Sequence, residues 1–126
     1  MAPHPARVLI ADADPETRAL LTLLLTSEVA QVDAVASLDD WTARPAAEPV
    51  DLILVDGCCA TRADFAATAP RILTAAAGTP VVLMTPLPLA PVEAQAHGFR
   101  GLVPKPFDID VLVDQVRATL RADTSS

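Results

Sequence analysis

The run VDLILVD, residues 50 to 56, carries Leu52, Ile53, Leu54 and Val55 with no polar residue between them and then stops on an acid, Asp56. A strand with that pattern has to be covered on both faces, which places it in a parallel sheet between helices. Toward the N-terminus RVLIA (7 to 11) has the same character and runs into Asp12. Toward the C-terminus TPVVLMT (79 to 85) ends on Thr85, and FRGLVP (99 to 104) runs into Lys105. QVDAVA (31 to 36) alternates instead, as a more exposed strand does.

Helices fill the intervals. Asp14-Pro15 reads as an N-cap followed by proline at the first helical position. The helix it opens, with faces marked by Leu20, Leu21, Leu24 and Glu28, should end near Ser27. Ser37 caps a short second helix to Ala43, ahead of the loop RPAAEP. The segment from Gly57 to Gly78 is helical in composition, but Pro70 should interrupt it, so its regular part is expected from Pro70 to Ala77. Pro86, Pro88 and Pro91 confine a fourth helix to about Pro91 to Ala96. DIDVLVDQVRATLRA (108 to 122) is amphipathic, with Ile109, Leu112, Val113, Val116 and Leu120 on one stripe.

Strands alternating with helices in this way predict an α/β protein, a flavodoxin-like five-stranded parallel sheet in the order 2-1-3-4-5 with helices on both faces. One domain over residues 1 to 126 is expected, with its core from about 7 to 121 and tails at 1 to 6 and 122 to 126. Such sheets bind ligands beyond the carboxyl ends of their strands, where strand order reverses. Strands one and three are neighbours there, so Asp12 and Asp56 should face each other.

At 126 residues the chain is long enough to bury roughly two-thirds of its unfolded surface. With 52% hydrophobic residues but only 3% aromatic ones, its core is made of small aliphatic side chains. A net charge of -7 argues against nucleic acid or an anionic membrane as direct partner and favours a cation or a basic protein face. No apolar run approaches the roughly 18 residues of a spanning helix, and MAPHPA has no signal-peptide character, so a cytoplasmic protein is expected. Cys58 and Cys59 are adjacent, which suits neither a disulfide framework nor a zinc site; they read as small buried hydrophobes, with a vicinal disulfide switch, which needs a strained ring, as the alternative.

Asp12, Asp56, Thr85 and Lys105 each end a buried strand, so the sheet should bring them together. Two facing carboxylates repel unless a cation lies between them, and magnesium prefers such oxygen ligands. A hydroxyl and an ammonium beside carboxylate-bound metal make a phosphoryl-binding pocket. VLIADADPETR (8 to 18), DLILVD ending on Asp56, PVVLMT ending on Thr85, and KPFD starting at Lys105 together resemble the receiver domains of two-component response regulators, over residues 7 to about 121.

That resemblance implies a phosphate switch rather than an enzyme. Asp56 would be the phosphoacceptor, and Asp12, Asp56 and the backbone carbonyl of Cys58 would hold magnesium. Thr85 and Lys105 would bind the phosphoryl group, and the Lys105-Pro106 bond would be cis. The implied partners are a histidine kinase or phosphotransfer protein upstream and an effector protein or domain downstream.

Several residues depart from the family pattern. Receivers carry adjacent acids after the first strand, and Ala13 replaces the second, which by resemblance ligates magnesium directly; a weakened Mg2+ site is therefore expected. GCCAT follows Asp56 in place of the usual Met-Pro-Gly-like turn, Pro86 follows Thr85, and Leu102 stands where the family's aromatic switch residue would. One alternative is a degenerate receiver that acts through protein contacts without phosphorylation. Another is a haloacid dehalogenase-like phosphatase, because DADPE resembles its Asp-x-Asp motif, with Asp12 as nucleophile, Asp14 as acid-base, and Thr85 and Lys105 in its other motifs.

Overall fold

The computed structural model describes residues 6–28, 31–42, 49–57 and 61–124. The elements are β1 (Arg7–Ala11), α1 (Pro15–Glu28), β2 (Gln31–Val35), α2 (Leu38–Thr42), β3 (Leu52–Asp56), α3 (Arg62–Ala76), β4 (Val81–Thr85), α4 (Pro91–Ala96), β5 (Gly101–Pro104) and α5 (Ile109–Thr124). The strands form one sheet in the order β2-β1-β3-β4-β5 with every pair parallel, as the sequence predicts. No helix of the described residues is long and apolar enough to cross a membrane.

Because strand side chains alternate, each central strand feeds two cores. Val8, Ile10, Leu52, Leu54, Val82 and Met84 face α1 and α5, whose Leu21, Leu25, Leu112, Val113 and Val116 cover them. Leu9, Ile53, Val55, Val81 and Leu83 point the other way, toward Leu38 of α2, Phe65 and Ala69 of α3 and Ala94 of α4. β2 lies at the sheet edge, and only its last residue, Val35, is buried, which explains its alternating sequence.

Two local expectations need correction. Helix α3 begins at Arg62, eight residues before the expected start, with Thr61 as its N-cap: the Thr61 hydroxyl accepts the Asp64 N–H at 3.1 Å. Pro70 sits inside the helix on its exposed side. The carbonyl that loses its helical N–H belongs to Ala66, also exposed, where solvent can replace the bond, while Phe65, Ala69 and Ala76 hold the inner face to the sheet. Ile109, placed on the buried stripe of α5, is 47% exposed; it is the helix's first residue, and Thr119 joins Leu112, Val113, Val116 and Leu120 on the buried face.

Candidate functional site

Parallel strands put their carboxyl ends along one edge, and register decides which ends meet. Ala11 pairs with Val55, so Asp12 and Asp56 stand side by side one residue further on. Asp56 pairs with Met84, which brings Thr85 next, and Thr85 pairs with Pro104, which places Lys105 at the same edge. The Lys105 N–H donates to the Thr85 carbonyl at 2.9 Å, and the Lys105-Pro106 bond is cis. From there the side chain reaches back across the sheet. Its Nζ lies 3.1 Å from Asp12 Oδ2 and 3.2 Å from Asp56 Oδ1, between the two carboxylates.

Asp12 has no exposed side-chain surface, and a buried carboxylate has to be paired and hydrogen-bonded. Oδ2 faces Lys105, and Oδ1 accepts the Asp14 N–H at 2.9 Å. Arg18 of α1 donates to the Asp12 carbonyl at 2.7 Å, which fixes the strand end from the helix side. Burial alone would lower the Lys105 pKa, but its hydrogen bond to Asp12 and the charges of Asp56 and Asp12 outweigh that and raise it, so the ammonium is kept. Asp56 keeps 11% of its side-chain surface open. Thr85 is buried, with its hydroxyl accepting the Leu87 N–H at 3.1 Å.

The chain is matched by the family model for the response regulator receiver domain over residues 8–117. It belongs to that family. The fold agrees with solved receivers. The receiver domain of Francisella response regulator 1452 superposes with a TM-score of 0.76 at 19% identity, covering 94% of this chain and 98% of that one. The signal receiver domain of an HD domain-containing protein from Pseudomonas fluorescens gives 0.75 at 19%, covering 98% and 100%. A response regulator receiver protein from Burkholderia phymatum gives 0.69 at 26%, covering 92% and 95%. No curated protein matches the sequence.

This receiver's remaining positions explain its departures. Asp14 caps α1: its carboxylate accepts the Glu16 N–H at 3.2 Å and the Thr17 hydroxyl at 2.7 Å, and those bonds, the Thr17 one foremost, hold its pKa below the usual value. Ala13 is exposed between the cap and the buried Asp12. At Gly57 a Cβ would stand 2.8 Å from Leu83 Cδ1, because the Gly57 N–H bonds the Met84 carbonyl at 2.7 Å and draws β3 close to β4. Leu102 is half-buried and packs against the α2–α4 core. Cys58 and Cys59 lie outside the described residues, and with them the carbonyl expected to ligate metal.

Receiver domains hold Mg2+ in an acidic pocket, so the donor set here bears on this receiver directly. The described residues bring two carboxylates together, not three, and both face the Lys105 ammonium. Among the described residues no cluster of three or more His, Cys, Asp or Glu side chains is placed to hold a metal ion. Asp12 and Asp56 suit a hard cation by chemistry, and the Lys105 ammonium already supplies one positive charge between them.

Beside Asp56 and Ala13 a cavity of about 280 Å³ opens toward α2 and α3, lined among the described residues by Ala11, Ala36, Leu38, Ile72 and Ala75. Sequence reasoning also missed a cluster on the pocket's other side. Arg62, the first residue of α3, forks onto Glu93 of α4, with Nε 3.0 Å from Oε2 and Nη2 3.2 Å from Oε1. Nη2 also donates to the Pro88 carbonyl at 2.9 Å. Glu93 three residues into a helix hints at a cap, but nothing in the chain pairs it with an arginine 31 positions away.

Proposed function

We propose that this receiver accepts a phosphoryl group on Asp56, with a weakened magnesium site. The observation that carries the proposal is Lys105 Nζ lying between Asp12 Oδ2 and Asp56 Oδ1 beside a buried threonine. An Asp56 oxygen attacks the phosphorus of a phosphohistidine on a kinase or phosphotransfer protein, or of a small phosphodonor. The donor's P–N or P–O bond breaks, and an acyl phosphate forms. Lys105 then shifts from the carboxylate pair to the phosphoryl oxygens, and the Thr85 hydroxyl, which accepts from Leu87 in this structure, turns away from that N–H to donate its own proton to one of them. A bound magnesium ion would be held by Asp12, Asp56 and, as the resemblance implies, the Cys58 carbonyl, supplying positive charge opposite the phosphoryl group.

A second reading, a receiver that works through protein contacts without phosphorylation, is favoured by Ala13 and by a pocket that Lys105 already neutralises in part. The phosphatase reading lacks support: Asp12 is buried and engaged on both oxygens, and Asp14 is occupied as a helix cap. As a switch and not a turnover enzyme, the protein passes its state to an effector protein or domain. Intact mass after incubation with acetyl phosphate and magnesium tests this. A gain of one phosphoryl group, lost in Asp56→Asn, is the expected result; no gain under saturating donor selects the phosphorylation-independent reading.

A further inference from the structure

The loop between β4 and α4 is held by three prolines and a connected set of hydrogen bonds. Pro86, Pro88 and Pro91 fix their own φ angles and bring no N–H. Each remaining N–H of residues 86 to 90 is bonded: Leu87 to the Thr85 hydroxyl at 3.1 Å, Leu89 to the Leu87 carbonyl at 2.8 Å, and Ala90 to Glu93 Oε1 at 3.0 Å. Arg62 closes the set by gripping both the Pro88 carbonyl and the Glu93 carboxylate. A continuous line of bonds thus runs from the buried Thr85 hydroxyl, through the proline loop, to Arg62 at the far end of the loop after Asp56, and to the first turn of α4. Val92, 68% exposed, stands in that turn.

Leu102, half-buried against the α2–α4 core, has neither the ring nor the hydroxyl of an aromatic switch residue. We infer that the Arg62–Glu93 fork takes over that task in this chain, coupling the position of Thr85 to the orientation of α4. The inference rests on the reading that Thr85 answers a phosphoryl group on Asp56. When the Thr85 hydroxyl turns inward, Leu87 loses its acceptor, the Pro88 carbonyl moves with it, and Arg62 must change its grip on Glu93. The fork's planar, two-pronged geometry makes the link specific: a lysine at position 62 would keep the charge but not the paired bonds.

A double-mutant cycle in amide hydrogen exchange tests the coupling without any phosphodonor. Thr85→Val removes the Leu87 acceptor at nearly constant volume. In the natural chain it should speed exchange at Ala90 and Glu93 by at least about threefold, a coupling within the usual range for connected residues. In the Arg62→Ala and Arg62→Lys backgrounds the same change should leave those amides almost unaffected, while Leu87 responds in all three. Equal acceleration at Ala90 and Glu93 with and without Arg62 overturns the inference. Labelling of Asp56, followed by mass, reports separately on the underlying reading. If the natural chain labels and its α4 shifts persist in Arg62→Ala, the fork is not the link; if it does not label, the cycle alone decides whether the coupling exists.

Discussion

The two faces of the sheet use alternate residues of the same strands, yet they are filled differently. On the α1 and α5 side, long aliphatic chains meet long aliphatic chains: Val8, Ile10, Leu52, Leu54 and Met84 against Leu21, Leu25, Leu112 and Val116, all fully buried. On the α2 to α4 side, Leu9, Ile53, Leu83, Phe65 and Phe99 share the core with Ala11, Ala69, Ala76 and Ala94, and the cavity beside Asp56 remains. The loops that belong to the α1 and α5 side carry Asp12 and Lys105. The loops that belong to the side with the cavity follow Asp56 and Thr85. Long, fully buried side chains back the strand ends on one face, and a cavity is left beside Asp56 on the other.

The largest expected effect compares the faces directly. Leu112→Ala should cost about 2–5 kcal/mol by urea denaturation, because its neighbours are locked on all sides. Leu38→Ala, on the wall of the existing cavity, should fall at or below the bottom of that range. Equal losses would break the asymmetry. Next in size is Ala13→Asp on the pocket rim, which returns a carboxylate beside Asp12 and Asp56; it should tighten magnesium roughly 10-fold or more and speed acetyl phosphate labelling. Unchanged affinity and rate in a titration would show that position 13 does not face the metal.

A smaller effect comes from filling the slack. Ala75→Leu on α3 projects into the cavity and should stabilise the fold by about 1 kcal/mol, as cavity-filling changes do, while slowing any response of the α2–α3 side to labelling. A loss of stability would mean that the cavity is smaller than its walls suggest. Smallest is a pH effect at the fork. The hydrogen bond from Arg62, then that from the Ala90 N–H, lower the Glu93 pKa from 4.5 to about 2. A depressed folded pKa means that the stabilisation of α4 is fully present above 4.5 and is lost as pH falls toward 2. The Glu93 carboxyl carbon, followed by NMR, should titrate near 2 in the natural chain and return toward 4.5 in Arg62→Ala. A midpoint unmoved by Arg62→Ala would assign the shift to the helix start alone.

Much of the molecule was legible in the chain because its signals are local. Continuous apolar runs defined the buried strands, alternation marked the edge strand β2, Asp14-Pro15 started α1, and Pro91 began α4 at its observed first residue. The polar residues ending β1, β3, β4 and β5 also had to meet once those strands were parallel neighbours, so Asp12, Asp56, Thr85 and Lys105 were found by order alone. Other features depended on distant partners. Pro70 lies within α3 because packing on the sheet outweighs one lost backbone bond, a balance the segment's own residues do not show. Ile109 fits the helical period but lies beyond the sheet's reach. That Lys105 bridges both carboxylates, that Arg62 meets Glu93, and that Ala11, Ala36 and Ala75 leave a cavity beside Asp56 are consequences of three-dimensional distance. Sequence period specifies which face a residue takes; only the assembled sheet decides what it meets there.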